Sequence, residues 1–218
     1  MIGRLHVVTD FHFQQVYSHA ELAILAARGG ADVIQFRQKL GSDRHIYHAA
    51  LATKQALDKL AASESIEIDF LIDDSVSLAV LLKTSGVHLG QDDVPVGATR
   101  SALPAGAIIG ATATSVAQAL RVQDEGATYI GYGPVYRTRS KSNPASVKGL
   151  DRLADVCSAV SIPVIAIGGV TAENTSAILA AGAYGVAVMT DVTIAPDPEA
   201  ATRRIRSEID NFIEGTGM

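Results

Sequence analysis

The sequence is poor in the features that would place a protein outside the cell, in a membrane or on nucleic acid. It has a single cysteine, Cys157, in 218 residues, so no internal disulfide can form. A reducing compartment is therefore expected, and Cys157 itself reads as a small hydrophobe on a helix face. No apolar stretch approaches the ~20 residues that a membrane span needs. The start of the sequence lacks a basic region followed by an apolar region and a cleavage site, so no secretion signal is read there. Basic residues are not in excess: 18 Lys and Arg stand against 23 Asp and Glu, for a net charge of -5. That balance argues against general nucleic-acid binding, although a local cationic cluster could still hold one phosphate group. The six histidines show no metal-site spacing. His45 and His48 are expected to be exposed on a helix, and His6 and His88 to be core or near-core strand residues. Linkers and low-complexity tracts are missing too. These absences lead us to expect one cytoplasmic domain, residues 1–218, that takes small-molecule partners and neither nucleic acid nor membrane. They leave association into a homo-oligomer open.

What is present is a regular alternation of strand-like and helix-like segments. Strands are expected at Leu5–Thr9, Asp32–Phe36, Ile68–Ile72, Gly86–Leu89, Ala107–Ile109, Thr128–Gly131, Pro163–Ile167 and Tyr184–Val188. Helical periodicity follows each strand except the fourth, where Pro95 to Leu103 reads as short or irregular. Ser18 with Glu21 forms a capping box before the first helix, and Arg28-Gly29-Gly30 closes it. Open doubly wound sheets commonly have five or six strands, whereas eight parallel strands can close. The fold class expected is therefore α/β, a single (β/α)8 TIM barrel. It is short for that fold, which typically has about 250 residues.

In such a barrel the carboxyl ends of all strands open on one face, and active sites are built there. Polar clusters follow the apolar runs in this chain at those positions. Asp73, Asp74 and Asp93 are candidate Mg²⁺ ligands, because that ion usually takes one or two carboxylates and completes its shell with phosphates and water. Helix capping is the plainer explanation of the Asp73-Asp74 pair. Gln35, Arg37 and Lys39 alternate at the end of the second strand, and period-two spacing directs all three to one side. A guanidinium beside an ammonium suits a multi-oxygen anion. Gly168-Gly169, ahead of Thr171 and a helix, suits phosphate at a helix N-terminus. Met189-Thr190 ends the eighth strand, where Thr190 could add a hydroxyl donor. The longest polar loop, Tyr136 to Lys148, mixes hydroxyls and cations and could close over anionic substrates.

At these residues the chain resembles the thiamine phosphate synthase family over nearly its whole length. The resemblance is carried by Val8-Thr9-Asp10, Gln35-Phe36-Arg37-Gln38-Lys39, Asp73-Asp74, Gly86-Val87-His88-Leu89-Gly90-Gln91-Asp92-Asp93, Gly131-Tyr132-Gly133-Pro134-Val135-Tyr136 and Ala166-Ile167-Gly168-Gly169-Val170-Thr171. It implies a transferase of thiamine biosynthesis that joins hydroxymethylpyrimidine diphosphate to thiazole phosphate and releases diphosphate. It implies a dissociative substitution, in which diphosphate leaves first and the thiazole nitrogen then attacks a pyrimidine methylene cation. By position it implies Mg²⁺ at Asp74 and Asp93. The diphosphate would lie near Arg37, Lys39, Thr112 and Lys141, the pyrimidine near Gln35 and Asp73, and the thiazole phosphate near Thr138, Ser140, Gly169 and Thr190. The catalytic cations would be Arg37, Lys39 and Lys141.

The chain departs from the family pattern in places. Asp73 stands where Asn is usual, and an ionised carboxylate cannot donate a hydrogen bond as an amide can. Thr112 replaces Ser and Ser140 replaces Thr, which keeps a hydroxyl donor at both. Arg137 and Ser142 replace Pro and Lys. The related thiazole tautomerases resemble the chain less. They usually lack the Gly-Gln-acidic-Asp run and carry a catalytic His where this chain has Thr114. A non-catalytic relative that binds phosphorylated ligands is a third reading, and retention of both metal carboxylates and three cations argues against it.

Overall fold

The computed structural model describes residues 2–10, 14, 16–138 and 146–217. Strands β1 (Leu5–Thr9), β2 (Val33–Phe36), β3 (Asp69–Asp73), β4 (Gly86–Leu89), β5 (Ile108–Ala113), β6 (Tyr129–Tyr132), β7 (Val164–Ile167) and β8 (Gly185–Val188) pair in parallel, each with the next. The β1–β8 pairing, with Val7 opposite Val188, closes the barrel. Helices α1 (His19–Arg28), α2 (Asp43–Glu64), α3 (Val76–Leu82), α4 (Val96–Ala102), α5 (Val116–Asp124), α6 (Gly149–Ala159), α7 (Ala172–Ala180), α8 (Thr190–Thr193) and α9 (Pro198–Thr216) connect or follow them. No described helix is long and apolar enough to cross a membrane.

The period of two along each strand separates two cores. Val7, Ile34, Phe36, Ile72, Val87, Ile109 and Ile130 face outward and pack against the helices. Val33, Leu71, Tyr129, Ile165 and Ala187 face inward and fill the lower barrel. Above that plug the inward positions of four strands are polar: Gln35 on β2, Asp73 on β3, His88 on β4 and Thr112 on β5. Room for the large rings comes from glycine. A Cβ on Gly110 would lie 2.2 Å from the Tyr129 ring and 2.5 Å from His88 Nδ1.

The structure departs from the sequence expectations at several boundaries. The stretch after β4 is the short rather than the irregular alternative, a seven-residue helix, α4, that follows Pro95 and has no side-chain cap. Strand β5 runs on to Ala113, because Gly110-Ala111-Thr112-Ala113 pairs with β4 on one side and β6 on the other. Small residues there look like a loop in sequence, yet they let His88 and Tyr129 cross the interior. Strand β8 stops at Val188, so Met189 precedes and Thr190 begins the short helix α8. Helix α9 continues to Thr216 rather than ending near Phe212.

Two buried histidines link the fold to pH. Burial lowers His6 from 6.5 to about 4, against the opposing pull of the Gly3 carbonyl. Burial likewise lowers His19 from 6.5 to about 4, opposed by the charge of Asp10. Both resist protonation in the fold and accept it when unfolded. Their stabilising contribution is therefore complete above about pH 6.5 and lost as pH falls towards about 4. Between about pH 7 and about pH 5 each should remove roughly 2 kcal/mol of unfolding free energy. His6→Gln should about halve the combined drop in urea titrations, and an unchanged drop would contradict the assignment.

Candidate active site

A cavity of about 440 Å³ opens at the carboxyl ends of the strands. Its first wall carries Gln35, Arg37 and Lys39, its second Asp73, Asp74 and Asp93, and Thr112 lies beside them. Thr138, Gly168, Gly169, Met189 and Thr190 line the opposite side. The barrel thus brings together every described residue expected there. Ser140 and Lys141 lie outside the described residues.

Arg37 and Lys39 sit just past the end of β2, so pairing, rather than strand alternation, sets their direction. The Arg37 Nη1 forms an ion pair with Asp10, a residue 3% exposed at the end of β1. Its Nε lies 3.2 Å from Asp73 Oδ2. Lys39 Nζ pairs with Asp74. Gln35 Nε2 donates to Asp73 Oδ1 over 2.5 Å. Burial and the neighbouring Asp74 charge push the Asp73 carboxyl up to about 7, opposed by Arg37, Lys39 and Gln35.

The capping explanation of Asp73-Asp74 fails on geometry, because Ser75 caps α3 by accepting from Leu78 N at 3.2 Å. Asp74 instead has φ of 65°, unusual for a residue with a side chain, and its N–H donates to His88 O over 2.8 Å. Asp93 Oδ2 accepts from Gly90 N over 2.6 Å. Burial raises the Asp93 carboxyl against that N–H, and the adjacent Asp74 carboxyl raises it further. Two neighbouring carboxyl groups of like charge form a donor set that a cation would relieve. Among the described residues no cluster of three or more His, Cys, Asp or Glu forms a protein-only metal cage. A pair of carboxylates open to phosphate and water fits Mg²⁺, which seldom uses such a cage.

His88, expected near the core, reaches the cavity. Its Nδ1 lies 2.9 Å from the Tyr129 hydroxyl and its Nε2 3.0 Å from Thr112 Oγ1. Burial raises the Tyr129 phenol, which stays protonated. The imidazole thus bridges the phenol and Thr112, and the tautomer with its proton on Nε2 would leave the threonine proton for a ligand. Asp10 and His88 were the contributors missing from the sequence expectations as site residues. The placement of Asp10 directly after an apolar run, like Asp73 after β3, is the signal that could have found it.

On the far side, Gly168 and Gly169 have φ of 97° and 66°. A Cβ on Gly169 would lie 2.6 Å from the Arg137 carbonyl oxygen and 2.8 Å from Tyr136 Cβ. The glycine therefore allows the loop after β6 to pack against the loop after β7. Asn174 secures the turn, donating from Nδ2 to Gly169 O over 2.8 Å and accepting from Thr171 N over 3.0 Å. A smaller adjoining cavity is also lined by Gly169 and Thr190. Glycine backbone and a threonine hydroxyl facing one space, at the start of α7, suit an anion.

Eight parallel strands with one polar, cation-bearing cavity at their carboxyl ends define a (β/α)8 barrel of the kind that carries its site on that face. The family model described as "Thiamine monophosphate synthase" matches residues 5–192. A thiamine-phosphate synthase of Salinibacter ruber is 52% identical over 212 residues, covering 97% of this chain and 91% of that protein. One from Methanocella arvoryzae is 40% identical over 208 residues, covering 95% of each. The solved structure of a thiamine phosphate pyrophosphorylase from Pyrococcus furiosus superposes with a TM-score of 0.85 at 32% identity, covering 96% of both chains. The chain belongs to the thiamine monophosphate synthase family.

Gly169→Ala should cost at least about 1–2 kcal/mol for the left-handed backbone alone. The same variant should weaken binding of phosphate esters, because the Arg137 carbonyl must move away. Denaturant midpoints and ester titrations matching the unaltered protein would contradict this packing role.

Proposed function

We propose that this chain couples hydroxymethylpyrimidine diphosphate to thiazole phosphate, with Mg²⁺, in the cytoplasm. The observation that carries the reading is one cavity holding a carboxylate pair, two cations and a glycine phosphate turn on opposite walls. Membership of the family and the names of its relatives support it. The lone Cys157, unpaired, suits a reducing compartment.

The bond that breaks joins the pyrimidine methylene carbon to a diphosphate oxygen, and its electron pair leaves with the oxygen. The bond that forms uses the lone pair of the thiazole nitrogen on that carbon. Neither step needs a strong general base. Arg37, Lys39 and, from the loop, Lys141 would hold the diphosphate oxygens and stabilise the charge that grows as they depart. Thr112, supported by His88, would donate to the same group. Gln35 and Asp73 would orient the pyrimidine. Thr138, Ser140, Gly168, Gly169, Met189 and Thr190 would seat the thiazole phosphate across the cavity. Asp74 and Asp93 would hold Mg²⁺, which when bound supplies charge neutralisation for the diphosphate.

Thr114 has no proton-transfer chemistry of the kind a histidine there would supply. Its N–H and hydroxyl both donate to Gln118 Oε1, over 2.8 and 3.0 Å. Purified protein should therefore form thiamine phosphate from the two substrates with Mg²⁺ and stop when the metal is chelated. Asp93→Asn keeps an acceptor for Gly90 N–H and should leave the fold intact. Its metal-dependent turnover should fall by at least about a hundredfold, the equivalent of several kcal/mol of charge stabilisation. Isomerisation of thiazole carboxylate phosphate in chelator, without any coupling, would establish the tautomerase reading. Binding of both phosphates without turnover would establish a binding role.

A further inference from the structure

The turn between β7 and α7 commits its carbonyls to the protein and keeps its N–H groups back. Tyr136 N donates to Gly168 O over 2.9 Å, and Asn174 Nδ2 donates to Gly169 O over 2.8 Å. Among the described residues no group accepts from the N–H of Gly169 or Val170. Val170 is 5% exposed and lines both the main cavity and the smaller one beside it. Buried backbone donors are nearly always paired, so this stretch suits an acceptor that comes from outside the chain.

Asn174 is the third residue of α7, a position where helix capping calls only for an acceptor. Its Oδ1 meets that need by accepting from Thr171 N over 3.0 Å. A carboxylate there would accept as well and would suit the helix dipole better. Capping therefore leaves the NH₂ half of the side chain unexplained. That half reaches back out of the helix to Gly169 O. The two ends cannot be exchanged, because Thr171 N–H only donates and Gly169 O only accepts.

Across a planar trans peptide the C=O of one residue and the N–H of the next point in opposite directions. Holding Gly169 O towards Asn174 therefore turns Val170 N–H the other way. Gly168 and Gly169, at φ of 97° and 66°, tolerate either orientation of the peptides between them and Val170. Without the Asn174 NH₂, the Gly169 carbonyl is free to turn into the cavity, where its oxygen would repel an anion.

We propose that Asn174 is a positioning residue for phosphate-ester recognition, whose NH₂ holds the Gly169 carbonyl back and so aims the Val170 N–H at the phosphate. This rests on the reading above that the thiazole phosphate is seated at Gly169 and Thr190. It adds to that reading a residue outside the cavity wall that sets the polarity of the turn.

The test is calorimetric binding of thiazole phosphate, with inorganic diphosphate and Mg²⁺ as the probe of the opposite wall. Asn174→Asp is isosteric, keeps the acceptor for Thr171 N–H and loses only the donor. Asn174→Ala loses the donor without adding charge. Both should bind thiazole phosphate at least about tenfold more weakly, the loss of one hydrogen bond to a charged group. Both should bind diphosphate within about twofold of the unaltered protein. A loss confined to Asn174→Asp would be charge repulsion alone and overturns the inference. Unchanged thiazole phosphate affinity in both variants overturns it, as does equal weakening of both ligands. In the unaltered protein the Val170 amide proton should shift in NMR spectra on titration with inorganic phosphate. Binding of thiazole phosphate with that proton unmoved overturns the inference whether or not either variant folds. Failure of the unaltered protein to bind thiazole phosphate at all overturns the parent reading.

Discussion

The mouth of the barrel is organised around one guanidinium. Arg37 is only partly exposed and is gripped by Asp10 from β1 and Asp73 from β3. A buried charge is tolerated only when paired, and removing one partner of such a pair typically costs about 3–5 kcal/mol. The clamp therefore ties three neighbouring strand ends to one geometry. It also decides what remains for a ligand. With Lys39 on Asp74, carboxyl groups outnumber cations among the described residues that line the cavity: Asp73, Asp74, Asp92 and Asp93 against Arg37 and Lys39. Among the described residues the mouth thus holds more carboxyl groups than cations, and an anionic substrate would meet repulsion from them unless a cation came with it.

The barrel supports this arrangement at some cost to its own core. The lower interior is closed by Val33, Leu71, Tyr129, Ile165 and Ala187. The layer above gives inward positions to Gln35, His88 and Thr112, where a purely structural barrel would place branched apolar residues. Polar groups inside a protein are affordable only when hydrogen-bonded. Here the Tyr129–His88–Thr112 chain and the Gln35–Asp73 contact satisfy them. Gly110 makes room for the chain, and Gly169 allows two loops to meet across the cavity. The same contacts thus hold the interior together and aim the side chains.

Much of this was legible in the sequence because the barrel maps strand ends onto one face. Counting eight apolar runs gave the closed sheet, and the polar residues just after them gave the walls of the cavity. What escaped was set by partners distant in sequence. The second half of strand β5 is not legible locally, because Gly110-Ala111-Thr112-Ala113 has weak strand character of its own and is recruited by pairing on both sides. The helix α4 lacks a side-chain cap, so its start carried no signal. The roles of Asp10 and His88 depend on Arg37 and Thr112, contacts that no local pattern encodes. Gly169 has a second role that no local pattern encodes, since a Cβ there would also meet the Arg137 carbonyl.

The central claim is that the excess of carboxylates makes binding of the diphosphate end of the substrate conditional on a divalent cation. Calorimetric titration of inorganic diphosphate into the protein, with Mg²⁺ and again with chelator, tests it most directly. The account predicts saturable binding with Mg²⁺ and at least about a hundredfold weaker binding without it, as expected if the metal provides several kcal/mol of charge neutralisation. Equal affinity under both conditions would show that Arg37 and Lys39 suffice, and would contradict the account.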